Sequence, residues 1–155
     1  MAERHSSAES DQTDARRAGA PAAGRARGGD AVGQSELFSV QCRNLKKVHD
    51  AGMIIGLGTD GNGDIGWGAH TELADMVACG LTPAEAIVAG TRTSAEILKL
   101  GDLGTVAPGK SADFIVLDAN PLDNILNTRT ISKVYQRGTA VDRVALSRTF
   151  TTEAN

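Results

Sequence analysis

The residues best suited to chemistry lie in the stretch MIIGLGTDGNGDIGWGAH, residues 53–70. An apolar run, Met53 to Gly58, stops on Thr59-Asp60 and passes into a glycine-rich loop. A carboxylate at the tip of a buried strand has three ordinary roles: it caps the next helix, ligates a cation, or takes a proton as general base. Spacing alone leaves all three open for Asp60. His70 stands ten residues further on, where a helix is expected to begin, and is the second candidate: a group that touches substrate, or a capping or surface residue. Gly61, Gly63, Gly66 and Gly68 let the intervening backbone bend around a ligand.

Two familiar loop chemistries do not fit this stretch. The glycines do not run straight into a helix, as a pyrophosphate-binding turn requires. Asp60, Asn62 and Asp64 begin like a calcium loop, but Ile65 replaces its glycine and Thr71 its closing glutamate. The chain has three histidines and contains no His-x-His, HExxH or cysteine cluster, so it cannot build a conventional closed zinc site alone. Cys42 and Cys79 lie far apart and read as two half-buried thiols in helices.

Around these residues the pattern is α/β. Phe38, Cys42, Leu45 and Val48 recur at helical spacing, with Ser35 as N-cap and Gly52 closing the helix. The run 53–58, apolar on both faces, predicts a covered parallel strand. HTELADMVACG predicts a helix with Leu73, Met76 and Val77 inward and Gly80 as left-handed cap. Thr82, Pro83 and Glu85 spell a capping box for the next helix, which Gly90-Thr91 should break in two before Gly101 ends it. From Gly104 the period changes to short β elements. A strand precedes the Pro108-Gly109 turn, and further strands are expected over Asp113–Leu117, Ile131–Tyr135 and Ala140–Asp142. Residues 1–34 lack Leu, Ile and Phe and read as a disordered arm, and residues 144–155 as a frayed tail.

Of 155 residues, Lys and Arg number 16 against 19 Asp and Glu, a net charge of -3. That balance, with few aromatics, gives no support to nucleic-acid binding. No window approaches the roughly 18 apolar residues of a membrane span, and none near Met1 has a secretory core. A cytoplasmic protein is the expectation.

Four stretches then carry a resemblance: AGMIIGLGTDG, ELADMVACGLTPAEAIVAGTRTSAEILKL, DLGTVAPGKSADFIVLDANPLDNI and ISKVYQRGTAVDR. In this order they resemble the C-terminal part of metal-dependent amidohydrolases, on the imidazolonepropionase-like and prolidase-like branch, over roughly residues 36–143. The resemblance implies a (β/α)8 barrel with one or two divalent metals, usually zinc, and a small β-sandwich. Residues 35–103 would then be the last barrel strand and helices, and 104–143 strands of the sandwich. It implies that Asp60 helps bind the metal and takes a proton from the water that attacks a C–N bond in an amide, cyclic amide or dipeptide. It further implies that the remaining ligands and barrel strands are absent, as in a truncated product, so that the isolated chain is inactive. The pattern leaves a non-catalytic alternative, in which the chain self-associates or docks on a partner carrying the missing strands. Pro108-Gly109-Lys110 and Asp113 are expected to be structural.

Overall fold

The computed structural model describes residues 31–60 and 66–152. Most of the arm, the loop positions Gly61, Asn62, Gly63, Asp64 and Ile65, and the last three residues lie outside the described residues.

Helix α1 runs Ala31–Asp50. It includes Ser35, which sequence reasoning makes the N-cap and which instead sits inside the helix, its carbonyl accepting from Ser39 Oγ at 2.9 Å. The C-terminus is as expected. Gly52 takes φ 74, and Gly52 and Met53 donate back to His49 and Val48 at 2.9 and 3.0 Å. Helix α2 spans Gly68–Ala78. Gly80 closes it at φ +102, with Leu81 N–H bonded to the Met76 carbonyl at 3.1 Å. That closure delivers Leu81 onto Met76, and the two join Ala86 and Ala89 as the buried core, flanked by Leu45, Ile55, Leu57, Leu73 and Val77.

Helix α3, Pro83–Val88, begins with the expected capping box: Thr82 accepts from Glu85 N–H at 3.2 Å and donates its own N–H to the Glu85 carboxylate at 2.7 Å. The expected break at Gly90-Thr91 does not occur. The chain widens into a π turn over Ala89–Thr93 and continues as α4, Ser94–Ile97. Ser94 Oγ donates to the Ala89 carbonyl at 2.7 Å inside that widened turn. Gly90 leaves just enough room for Leu73 and Leu57, which a Cβ there would meet at 3.2 and 3.3 Å. The helix ends four residues before Gly101, because Lys99 adopts φ 58 and Leu100 N–H reaches the Ala95 carbonyl at 2.9 Å.

The β elements form a three-stranded antiparallel sheet, β1 Phe114–Leu117, β2 Ile131–Gln136 and β3 Thr139–Ala140, in the order β1-β2-β3. Phe114 pairs with Tyr135, and their rings stack 4.6 Å apart. Residues 104–107 form no strand, contrary to expectation. Gly104 is held by packing instead: at φ +81, a Cβ on it would lie 2.9 Å from the Arg92 Cα and Thr91 carbonyl oxygen of the π turn. The Pro108-Gly109 turn is present, with Gly109 at φ +81 and Lys110 N–H on the Ala107 carbonyl at 3.1 Å. Asp113 proves structural. It accepts from Ser111 Oγ and from Arg137 N–H at 3.0 Å, and these bonds hold its carboxyl below the usual carboxylate range.

Three further expectations are corrected. Residues 53–59 are not in a strand, since a strand exists only through a paired neighbour and none lies among the described residues. Met53 and Ile54 are accordingly 62% and 74% exposed. The tail is helical, α5 Arg143–Thr152, because Asp142 caps it by accepting from Val144 and Ala145 N–H at 3.1 and 2.9 Å. Cys42 and Cys79 are not free thiols but a disulfide, with Cα atoms 4.5 Å apart. Packing α1 on the end of α2 brings together residues that the sequence places 37 positions apart. The observed content is thus α/β, a cluster of helices followed by an antiparallel sheet.

Candidate active site

Apolar anchors place the segment that ends on Asp60. Ile55 and Leu57 pack on the core cluster, while Gly56 allows close approach to α4, where a Cβ would sit 2.8 Å from Ile97 Cδ1. Two polar side chains replace the missing ladder. Ser94 Oγ accepts from Leu57 N–H at 3.1 Å, and Glu72 Oε1 accepts from Gly58 N–H at 2.9 Å. One bond comes from α4 and the other from α2, so the segment is fixed from both sides immediately before its tip.

Asp60 emerges from this clamp exposed, at φ 52. A non-glycine residue in the left-handed region costs of order 1–2 kcal/mol, and aspartate tolerates it better than most. Such conformations cluster at functional positions. Asp60 does not cap α2. That N-cap is Trp67, whose side chain makes no capping bond. Helix capping, one of the three roles open from spacing, is therefore not what Asp60 does for α2.

His70 lies within the first turn of α2. Gly68 brings this turn against Thr59, its Cβ position 3.6 Å from the Thr59 side chain. The His70 ring tilts against Trp67 with centroids 5.5 Å apart. Its Nδ1 is buried without a hydrogen-bond partner among the described residues. Burial, and then the Arg129 guanidinium, hold its pKa below the ordinary histidine value, so the ring is neutral near pH 7. No contact between Asp60 and His70 joins them into a pair among the described residues.

Sequence reasoning missed Arg129. It comes from the 3-10 helix Ile125–Arg129, which packs on α2. Its guanidinium lies 5.7 Å from the Trp67 ring centroid and donates to Thr71 Oγ1 at 3.2 Å. Nothing local signals this, because 58 positions separate the partners in the sequence. Glu72 and Ser94 were likewise unmarked as supports, since both sit in helices with ordinary amphipathic patterns.

The zinc implied by resemblance can be tested against the donors present. Among the described residues no three His, Cys, Asp or Glu side chains gather to hold an ion. Of the three histidines in the sequence, His49 lies 3.5 Å from Glu85 and 3.4 Å from Asp50, and both cysteines are bonded to each other. This chain's described donors do not fit a zinc centre. What remains at the segment tip is one exposed carboxylate and, on the adjoining helical turn, one neutral imidazole.

Comparison with known proteins adds to this geometry. The model of the Amidohydrolase family matches residues 10–141, beginning upstream of the motifs that carry the resemblance. An imidazolonepropionase of Deinococcus deserti is 37% identical over 102 residues, covering 62% of this chain and 26% of the relative. Adenine deaminase 2 of Oenococcus oeni is 41% identical over 70 residues, covering 45% of this chain and 11% of the relative. A Xaa-Pro dipeptidase, solved with methionine bound in its active site, superposes with a TM-score of 0.61 at 29% identity, covering 64% of this chain and 25% of that one. The chain therefore spans about a quarter of the length of the curated imidazolonepropionases it matches, 26% and 25% for two of them.

Proposed function

Because this chain belongs to the amidohydrolase family, we propose that it supplies the C-terminal part of a hydrolase of C–N bonds in small amides, cyclic amides or dipeptides. In this reading residues 35–103 are the end of a (β/α)8 barrel, and the sheet that follows belongs to its small β-sandwich. The observation that carries the proposal is the placement of Asp60. It follows an apolar segment clamped through Leu57 and Gly58, and it projects into solvent from a strained backbone.

The Asp60 carboxylate takes the proton of the attacking water and can return it to the departing nitrogen. General acid–base work of this kind contributes typically ~10²–10⁴-fold. His70, neutral and close to Trp67 and Arg129, offers a hydrogen-bonding ring to the substrate. In the family reading Asp60 is also a ligand of a divalent metal, zinc above all. The described residues do not complete that donor set, so the isolated chain is proposed to be inactive. No helix among the described residues is long and apolar enough to cross a membrane, and the cytoplasm is the proposed location.

Zinc titration with metal analysis, together with hydrolysis assays on N-acyl amino acids, dipeptides and cyclic amides, tests this. The expected result is negligible turnover and weak zinc retention. Robust metal-dependent turnover by the isolated chain overturns the inactivity claim.

A second reading rests on the exposed segment 53–54. Met53 and Ile54, at 62% and 74% exposure, lie where a barrel strand would find its neighbour. A non-catalytic chain that self-associates, or docks on a partner carrying further strands, would cover them. Light scattering after size exclusion separates the readings, since a soluble compact monomer speaks against any need for a partner.

A further inference from the structure

The Cys42–Cys79 bond has no part in the hydrolase reading, yet it encloses the segment that carries Asp60 and the start of α2. The covalent ring it closes contains the 53–59 segment, Asp60, Trp67, His70 and Glu72. We infer that this disulfide is a redox-sensitive clasp: closed, it fastens α1 against α2 and holds the Asp60-bearing segment in place, and opened by a dithiol reductant it releases both.

Little else holds α1. Much of the helix faces solvent, with Leu37 and Val40 at 60% and 42% exposure. Leu45 packs on the core, the Lys46 stem passes 3.5 Å from the Cβ position of Gly80, and His49 approaches Glu85 at 3.5 Å. Both partners of that last pair are substantially solvated, and such contacts are weak. In proteins most of a helix's stability comes from tertiary packing of its apolar face, and α1 packs few of its residues. α1 also leads directly into the functional segment: the turn after it bonds Met53 N–H to the Val48 carbonyl at 3.0 Å, and Asp60 follows seven residues later. Loosening α1 therefore loosens the anchor of the clamp that positions Asp60.

The chemistry is ordinary thiol–disulfide exchange. One thiolate of the dithiol attacks a sulfur of the pair and forms a mixed disulfide, and the second thiol of the reductant resolves it. Cys42 and Cys79 gain two electrons and two protons, and the reductant is oxidised to its own disulfide. Both cysteines are half-buried rather than sealed in the core. In the cytoplasm proposed above disulfides are rare, and those that form are usually transient and catalytic or redox-sensing, which suits a clasp of this kind.

Hydrogen exchange read by mass spectrometry on the full chain, oxidised and then treated with dithiothreitol, tests the inference. Peptides from residues 36–59 are expected to exchange at least about tenfold faster after reduction. Closure of a ring this long allows a ceiling of several hundredfold or so. Sheet peptides over residues 114–136 should not change. The Cys42→Ser/Cys79→Ser chain should match the reduced protein and ignore the reductant. Alkylation of the oxidised chain should label no cysteine, and two after reduction. Two labelled thiols before reduction, or exchange over 36–59 indifferent to the reductant, overturns the inference. Loss of protection throughout the chain, sheet included, also overturns it, because the bond would then hold the fold and not a clasp.

Discussion

Substituting alanine at Gly104 tests how the sheet is joined to the helices. Gly104 has φ +81, and a Cβ there would lie 2.7 Å from Ala95 Cβ, 2.9 Å from Arg92 Cα and 2.9 Å from the Thr91 carbonyl oxygen. Two of those three atoms belong to backbone and cannot rotate aside. The left-handed conformation alone costs alanine about 1–2 kcal/mol, and overpacking adds about 1–3 kcal/mol. Gly104→Ala is therefore expected to lose roughly 2–5 kcal/mol. Two other glycines separate the contributions. Gly109 has the same φ of +81 with nothing within 4 Å, so Gly109→Ala should lose only the conformational share. Gly101 has open space and no left-handed φ, so Gly101→Ala should stay within about 0.5 kcal/mol of the parent. Urea unfolding followed by circular dichroism at constant m-value reads all three. Gly104→Ala no worse than Gly109→Ala would refute the close packing of residue 104 on the π turn.

Removing the Ser94 hydroxyl leaves the half-buried Leu57 N–H without its acceptor at 3.1 Å. Ser94→Ala should therefore cost about 1–3 kcal/mol in the same unfolding assay and speed exchange at Leu57; an unchanged midpoint contradicts the clamp. For His70 the folded pKa lies below the unfolded value near 6.5, through burial and then Arg129. The unfolded chain therefore binds the extra proton first as pH falls. Stability is present above pH 6.5 and is lost as pH drops through and below it, ahead of the carboxylates Asp50, Glu85 and Asp113, whose lowered pKa values make their losses come below about pH 4.5. His70→Gln should flatten the unfolding midpoint between pH 7.5 and pH 5.5, and an equally steep profile in the variant would rule out His70 as the cause.

Local rules made the helices legible. Gly52, Gly80 and the Thr82–Glu85 box each act within one turn, and each is where the sequence places it. The Pro108-Gly109 turn was equally readable, because its closing bond from Lys110 to Ala107 is local. Much of what was misread depends on distant residues, although the helix after Asp142 starts on a local cap that sequence reasoning passed over. A short run that is apolar on both faces, such as 53–58, becomes a strand only beside another strand, and no residue in the run reports whether that neighbour exists. Gly90-Thr91 looked like a break because glycine and a β-branched residue weaken helices, but Leu57 and Leu73 pack close to Gly90, and Ser94 bridges the widened turn. The Cys42–Cys79 bond and the approach of Arg129 to Trp67 both arise from packing between elements and leave no periodic trace. Asp60 is singled out as a candidate by its place at the end of an apolar run. Its strained backbone and the Glu72 and Ser94 supports could come only from the structure.

In the proposed function residues 36–143 are the C-terminal part of a C–N hydrolase, and Asp60 is its proton-accepting carboxylate. The most direct measurement is turnover by a chimera, the Deinococcus deserti imidazolonepropionase with its matching segment replaced by residues 36–143, assayed on that enzyme's own substrate. Measurable hydrolysis is expected, falling by about 10²–10⁴-fold in the Asp60→Asn chimera. A folded chimera that is inactive with Asp60 in place, or equally active after Asp60→Asn, would contradict it.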